Sequence, residues 1–240
     1  MNRDATFRSK PRAVSEPGIG AQDTNGLFEI IQTEKTMNPS WQDFLGASGA
    51  RIENGLVANF GDLTAELVSA RDATVISPLL HLGMIECSGE DAKSFLHNQL
   101  TSDVNHLASG TAQHSSWCTA KGRMQASLFL YRNEQDFRAL LSADLLAATQ
   151  KRLQMYVLRS KVKITDLGSE YELIGLSGPE AEAALQDAGL TIPAKALNIV
   201  SVSHGTTIRL SESRFIIVVS GKSAPDVWNR LSQNARPAGT

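Results

Sequence analysis

The sequence has few cysteines and no long apolar run. Its two cysteines, Cys87 and Cys118, stand far apart in the 240-residue chain and form neither a disulfide framework nor a Cys-x-x-Cys motif. No segment approaches the roughly 18 consecutive apolar residues of a membrane helix, and the N-terminal residues lack the apolar core of a secretory signal. We therefore expect a protein of a reducing compartment, the cytoplasm, with no membrane partner.

The common catalytic signatures are absent as well. The sequence contains no His-Glu-x-x-His, Gly-x-Ser-x-Gly or Gly-x-Gly-x-x-Gly motif, and no pair of its histidines has the spacing of metal ligands on one helix face. Ser220-Gly-Lys-Ser223 follows a predicted strand as a phosphate-binding loop would, but the glycine that such a loop needs is replaced by Ile216. We predict no catalytic residue, no metal site and no nucleotide site.

Charge is nearly balanced in total, at −2, but it is unevenly placed. The segment from Lys121 to Lys163 has nine basic and three acidic residues, whereas the flanks are acidic. A basic middle indicates a polyanionic ligand, either a nucleic acid or a polyglutamylated cofactor. Basic residues on a solvated sheet surface would give the same pattern, and this alternative stays open.

The chain divides into an extension and two structural units. Residues 1–36 are polar and weakly periodic, which predicts a disordered N-terminal extension with Met37 as the natural start. Residues 37–166 form a first α+β unit and residues 167–240 a second. Hydrophobic periodicity predicts, in each unit, a strand, a helix, three strands and a helix. These elements lie at about 81–89, 90–100, 111–118, 124–131, 137–142 and 143–158, and again at about 171–178, 179–189, 198–203, 206–210, 214–219 and 224–231.

The order of elements and the residues repeat together. Residues 85–92 align with residues 174–181 around a shared Ser-Gly, and residues 137–153 align with residues 215–231 at identical spacing. One such match would reflect helix capping alone, but two in the same order favour an internal duplication. We predict two copies of a β-α-β-β-β-α module that face each other across a cleft with a cationic lining. In the helix that follows Ser142, we expect this serine to cap and a buried stripe of Leu145, Thr149, Leu153 and Tyr156.

Two basic segments are candidate anion sites. Lys121-Gly122-Arg123 joins two predicted strands, and a glycine there lets backbone N–H groups and cations approach an anion together. If the segment 159–164 is extended, Arg159, Lys161 and Lys163 share one face. A hairpin turn and a solvated sheet face are the structural alternatives. Cys118, next to the first segment, is either a reactive thiol or a half-buried strand cysteine.

Several of these motifs together resemble the YgfZ folate-binding protein family, which is related to the glycine-cleavage T protein, an aminomethyltransferase. The resemblance covers about residues 37 to 236. The matching motifs are Asp91-Ala92, Phe95-Leu96, Gln99-Leu100-Thr101, Asp103-Val104, Lys121-Gly122-Arg123 and Arg159-Ser160-Lys161-Val162.

The resemblance implies an α+β fold of duplicated ferredoxin-like units with antiparallel sheets, and tetrahydrofolate as cofactor, with its polyglutamate tail. It also implies an accessory role in iron–sulfur cluster assembly or repair and, indirectly, in tRNA modification. Asp103 would then bind the pterin edge, although a loop aspartate that caps Asn105 or His106 is the alternative. The residues expected at the anionic tail are Lys121, Gly122, Arg123, Arg159 and Lys161.

The sequence also departs from this family. The family signature Lys-Gly-Cys-Tyr-x-Gly-Gln-Glu does not occur, and the chain ends in a hydrophilic segment, 234–240. We therefore expect a truncated member, without the C-terminal β-barrel domain and without a closing element. We expect a monomer with iron–sulfur proteins or tRNA-modifying enzymes as partners. A tetrahydrofolate-dependent aminomethyltransferase and a tRNA-binding protein are the alternative functions.

Overall fold

A computed structural model describes residues 38–134, 136–202 and 205–240, so the predicted extension and Met37 lie outside the described residues. In chain order the elements are α1 (Pro39–Ala47), β1 (Arg51–Glu53), β2 (Leu56–Asn59), α2 (Leu63–Asp72), β3 (Val75–Pro78), β4 (Leu82–Ser88), α3 (Ala92–Gln99), β5 (Thr111–Cys118), β6 (Met124–Arg132), β7 (Phe137–Ser142), α4 (Ala143–Val157), β8 (Lys163–Asp166), β9 (Tyr171–Ser177), α5 (Ala181–Asp187), β10 (Ile199–Val202), β11 (Gly205–Ser211), β12 (Arg214–Ser220), α6 (Ala224–Leu231) and β13 (Arg236–Pro237). Among these helices none is long and apolar enough to cross a membrane.

Two sheets of the same topology dominate the fold. One has the strand order β5-β6-β7-β4-β8 and the other the order β10-β11-β12-β9-β3-β13. The first module, β4-α3-β5-β6-β7-α4, and the second, β9-α5-β10-β11-β12-α6, therefore place their four strands in the same spatial order. Neighbouring strands are antiparallel, except that β13 runs parallel to β3. The predicted α+β fold with duplicated units and antiparallel sheets is confirmed.

The two modules exchange a strand. β3 precedes the first module in the chain but pairs with β9 of the second, with Val75 opposite Ser177. In the same way, β8 precedes the second module but pairs with β4 of the first, with Lys163 opposite Ser88. Only the pairing of β3 with β9 crosses the predicted boundary at residue 166, because β8 ends at Asp166.

The sheets pack face to face, with helices on both outer sides. Between the sheets, Met84, Phe129 and Leu140 meet Leu173 and other apolar side chains of the second sheet. Helices α3 and α4 cover the outer face of the first sheet, and α1, α5 and α6 cover that of the second. The expectation of a cationic cleft between the modules is wrong, because apolar side chains fill this space.

An ion pair accompanies the apolar contact between the sheets. Arg138 Nε donates to Glu86 Oε2 at 3.0 Å, and its guanidinium lies over the ring of Tyr171, 4.9 Å from the centroid. Both charged side chains are largely buried, at 15% and 20% exposure. Arg138 is therefore one basic residue of the middle segment that stabilises the fold internally.

The buried face of α4 differs from the predicted stripe. Its buried residues are Leu146, Thr149 and Leu153, whereas Leu145 and Tyr156 are exposed. The helical period was right, but the stripe begins one residue later because α4 packs with Leu146 against Gly83 of β4. Ser142 occupies the N-cap position, but its side chain makes no capping hydrogen bond.

The C-terminal segment is integrated into the fold, so the expectation of an end without a closing element is wrong. β13 adds to the edge of the second sheet beside β3. Ala235 and Ala238 are buried, and Thr240 donates its backbone N–H to the carbonyl of Val57. This segment therefore covers an otherwise open sheet edge.

Candidate functional site

A cleft of about 440 Å³ opens between α3, the end of β5, the start of β6 and α4. Small-molecule sites commonly have volumes of this order. The residues that line it are Asn98, Gln99, Trp117, Cys118, Thr119, Ala120, Gln125, Arg152, Met155 and Tyr156.

The cleft combines aromatic walls with hydrogen-bonding groups. Trp117 and Tyr156 meet edge to face, with their ring centroids 6.5 Å apart. Arg152 Nη1 donates to Gln125 Oε1 at 2.6 Å, which holds these two side chains together across the cleft. Aromatic faces can pack against a flat ring, while the amides of Asn98 and Gln99 can bind the polar edge of such a ring. The lining therefore fits a heteroaromatic group.

The predicted segment Lys121-Gly122-Arg123 forms the turn at the rim of this cleft. Thr119 and Ala120 line the cleft, and the three residues follow directly in the β5–β6 turn, where all are exposed. Gly122 has a φ of 76°, which favours glycine. Its N–H donates to the Thr119 carbonyl and that of Arg123 to Thr119 Oγ1, so both backbone donors serve the turn. An anion would therefore meet the side chains of Lys121 and Arg123.

Asp103 lies in the connection between α3 and β5. Its Oδ1 accepts the Asn105 N–H at 3.0 Å, and its Oδ2 lies 2.6 Å from His106 Nδ1. The hydrogen bond with His106 lowers the pKa of Asp103 below its usual value. His97 Nδ1 lies 3.4 Å from the same carboxylate. The structure thus shows the capping contacts that were the alternative to pterin binding.

The segment before Asp103 runs along β5 away from the cleft. Leu100 pairs with Trp117, and Thr101 donates its N–H to the carbonyl of Ser116. Asp103 follows three residues after Leu100 and lies beyond this pairing.

Arg159 and Lys161 belong to the connection from α4 to β8, the edge strand opposite β5 in the first sheet. Lys161 Nζ pairs with Glu90 Oε2 at 2.7 Å, and its N–H donates to Asp91 Oδ2 at 2.8 Å. β8 begins only at Lys163, so the segment 159–164 is not extended throughout and Arg159 lies in the turn after α4. The side chains of Arg159, Lys161 and Lys163 are all exposed. β5 and β8 are the two edge strands, about 19 Å apart at roughly 4.8 Å per strand spacing.

The six predicted site residues therefore occupy three places. Lys121, Gly122 and Arg123 stand together at the cleft, Arg159 and Lys161 lie in the connection between α4 and β8, and Asp103 lies between α3 and β5. The assignment of these residues to folate stays a prediction.

The two cysteines have different environments. Cys118 is partly exposed and lines the cleft, whereas Cys87 is buried. Burial raises the pKa of Cys87 to about 12, so its thiol stays neutral. In the described part of the chain, no three His, Cys, Asp or Glu side chains converge as a metal-binding group.

The sequence reasoning missed the cleft lining on α4. Arg152 and Tyr156 are four residues apart and so share a helix face. The predicted stripe placed Tyr156 in the core, which hid this pair. A tryptophan directly before Cys118 at the strand end was the other available signal.

Known proteins share this architecture. The fold is that of an aminomethyltransferase: glycine cleavage system aminomethyltransferase T from Bartonella henselae superimposes with a TM-score of 0.75 at 20% identity, over 83% of this chain and 58% of that chain. A chain of heterotetrameric sarcosine oxidase from Corynebacterium sp. U-96 also shares the fold, with a TM-score of 0.53 at 13% identity over 72% of this chain and 90% of that one. The model of the GCVT N-terminal domain matches residues 57–204, and the chain belongs to this family.

Curated relatives agree with the family. "tRNA-modifying protein YgfZ" of Vibrio vulnificus (strain CMCP6) is 30% identical over 157 residues, which are 65% of this chain and 47% of that protein. "Aminomethyltransferase" of Bacillus cytotoxicus is 28% identical over 161 residues, 65% of this chain and 43% of that protein. The resemblance to YgfZ predicted from the motifs is confirmed. The chain spans less than half the length of these relatives.

Proposed function

We propose that this protein is a tetrahydrofolate-binding accessory protein that acts in iron–sulfur cluster assembly or repair and, through cluster-containing enzymes, in tRNA modification. The observation that carries the proposal is the aromatic cleft at the end of β5 with a basic turn at its rim. The similarity to proteins named tRNA-modifying protein YgfZ supports it.

The chemistry of folate matches the two parts of this site. A pterin is a flat ring with donors and acceptors on one edge, and the cleft offers Trp117 and Tyr156 beside the amides of Asn98 and Gln99. The glutamate tail carries carboxylates, and the exposed cations of Lys121 and Arg123 stand next to the cleft opening. A polyglutamate tail adds carboxylates and so strengthens the attraction to basic residues further away, such as Arg159. This chain's role would be to bind and orient the cofactor.

Calorimetric titration with tetrahydrofolate tests the proposal. We expect a dissociation constant on the order of micromolar. It should rise with salt concentration, because salt screens the attraction between the basic side chains and the folate carboxylates. Lys121→Ala should weaken binding by about fivefold and reduce the salt dependence. Lys222→Ala, an equally exposed lysine in the turn before α6, is the matched control and should leave binding unchanged. Absence of heat from a protein that circular dichroism shows to be folded would refute the proposal.

An aminomethyltransferase is the second candidate, favoured by relatives of that name at 28% identity. Release of ammonia from a glycine-loaded carrier protein separates the two candidates. Release that depends on tetrahydrofolate would establish the enzyme, whereas folate binding without release supports the accessory role.

A further inference from the structure

The solvent side of the last two turns of α4 carries exposed apolar side chains among basic ones. Met155, Tyr156 and Leu158 are 70%, 54% and 88% exposed. The sequence contains no acidic residue between Leu145 and Arg159. We call this region the α4 surface; it consists of Lys151, Arg152, Met155, Tyr156, Leu158 and Arg159.

These residues cover the end of α4 and the turn that follows it. Lys151 and Met155 are four residues apart, so their side chains are neighbours on the helix. Leu158 and Arg159 follow directly after α4 ends at Val157. The apolar residues that α4 needs for the core are Leu146 and Leu153, on the other side of the helix. Met155 and Leu158 are therefore not required by the packing of this protein.

Leu158 also has an unfavourable backbone conformation. It follows the last helical residue with φ 45° and ψ −105°. Positive φ after a helix is the usual position of glycine, because a bulky side chain is strained there. The side chain of Leu158 is nevertheless almost fully exposed and contributes little to the core. Residues with a strained backbone are concentrated at functional sites. We therefore infer that a binding partner contacts the side chain of Leu158.

We propose that the α4 surface binds an acidic segment of a partner protein that carries apolar anchor residues. The unbroken positive charge of the surface complements acidic side chains, while methionine and leucine provide an adaptable apolar contact. Methionine is enriched in the buried centre of protein interfaces, where apolar side chains lie inside a polar rim. A helix that lies in a bilayer needs a broad apolar face, and the broad apolar face of α4 is buried in the core.

This proposal goes beyond the folate site. Arg152, Met155 and Tyr156 of the α4 surface also line the cleft, whereas Leu158 does not, and the Lys121–Arg123 turn does not belong to the α4 surface. Variants of Leu158 and of Lys121 therefore separate binding of a partner from binding of tetrahydrofolate.

Fluorescence anisotropy with a labelled synthetic helix tests the proposal. The probe is a peptide of about 18 residues, with leucines at helical spacing and glutamates elsewhere; the control peptide has lysines in place of the glutamates. We expect saturable binding of the acidic peptide below about 1 mM, and none of the basic peptide. The double variant Met155→Ser, Leu158→Ser should weaken binding at least about tenfold. The double variant Leu63→Ser, Leu67→Ser is the matched control, since these α2 leucines are also exposed, at 54% and 64%.

Two further variants keep the interpretation clear. Leu158→Gly should lose binding while the protein unfolds at a higher urea concentration, because glycine relieves the strained backbone. Lys121→Ala should leave peptide binding intact, so failure of the folate proposal would not affect this one. Equal binding of the basic peptide, or an unchanged affinity of the Met155, Leu158 variant, would overturn the proposal. Leu158-dependent binding of phosphatidylserine vesicles or of an RNA oligonucleotide, tighter than that of the acidic peptide, would also overturn it.

Discussion

At the scale of single residues, Glu66 shows how a buried charge can hold several segments together. α2 has an inverted pattern, with Glu66 and Ser69 buried while Leu63, Leu67 and Val68 are exposed. The Glu66 carboxylate accepts the Phe60 N–H at 2.6 Å and the Gly239 N–H at 2.9 Å. One side chain thus connects β2, α2 and the C-terminal segment. Hydrophobic periodicity could not predict this arrangement, because it places leucines inward.

Glu66→Ala should therefore destabilise the protein markedly. The substitution leaves two backbone donors without their acceptor in a poorly solvated place, at a cost of about 2–3 kcal/mol. Urea denaturation followed by circular dichroism measures this change. Asp72→Ala, at the end of the same helix, removes only an exposed contact with Arg71 and serves as control. If Glu66→Ala lowers the free energy of unfolding no more than the control does, the role of Glu66 is contradicted.

At the scale of elements, the repeated Ser-Gly corners have a steric origin. A Cβ at Gly89 would lie 2.1 Å from the carbonyl oxygen of Lys161, and a Cβ at Gly178 would lie 2.4 Å from that of Ala73. In both modules the glycine touches the chain that leads into the exchanged strand. Asp91 and Glu180, at the N-cap positions of α3 and α5, make no side-chain capping bond. Close approach of the backbone, rather than capping, accounts for the conserved spacing of the two copies within this chain.

Two glycine substitutions separate strain from steric contact. Gly89 and Gly122 both have positive φ, at 115° and 76°, but a Cβ at Gly122 meets nothing within 4 Å. Gly122→Ala should cost about 1 kcal/mol, from backbone strain alone. Gly89→Ala should cost about 3 kcal/mol or more, because the backbone of Lys161 must also move. Urea midpoints of the two variants provide the comparison, and equal losses of stability would contradict the close backbone contact at Gly89.

The sequence predicted the elements within each module much better than the pairing between modules. Periodicity placed β5, β6, β7 and α6 within about one residue of their observed bounds, because each has a clear alternation or stripe. It did not predict the exchange of β3 and β8, because the sequence of a short strand does not indicate which distant strand it pairs with. The β1–β2 hairpin was missed although Asn54-Gly55, both with positive φ, is a typical hairpin turn.

At the scale of the whole molecule, the apolar layer between the sheets decides where a ligand can bind. β6 is buried on both faces: Leu128 and Leu130 face the helices, whereas Phe129 and Tyr131 face the other sheet. The continuous apolar run Leu128–Tyr131 predicts this burial, because a strand that is covered on both faces has apolar residues at successive positions. The expectation of a cationic cleft did not take this run into account. The candidate site instead lies at the end of β5, where the exposed side chains of Lys121 and Arg123 stand beside the cleft.

The shared strands and the apolar layer predict that the two modules unfold as one unit. The three tryptophans report on them separately, because Trp117 belongs to the core of the first module and Trp41 and Trp228 to that of the second. Trp117→Phe leaves fluorescence from the second module only, and Trp41→Phe with Trp228→Phe leaves that from the first.

Urea unfolding of these two variants, each followed by tryptophan fluorescence and by far-ultraviolet circular dichroism, tests the strand-exchanged duplication most directly. In each variant, the fluorescence and circular dichroism transitions should coincide in midpoint and slope, as a two-state transition requires. If the fluorescence transition of one module has a different midpoint from the circular dichroism transition, the modules unfold independently. That result would contradict this account.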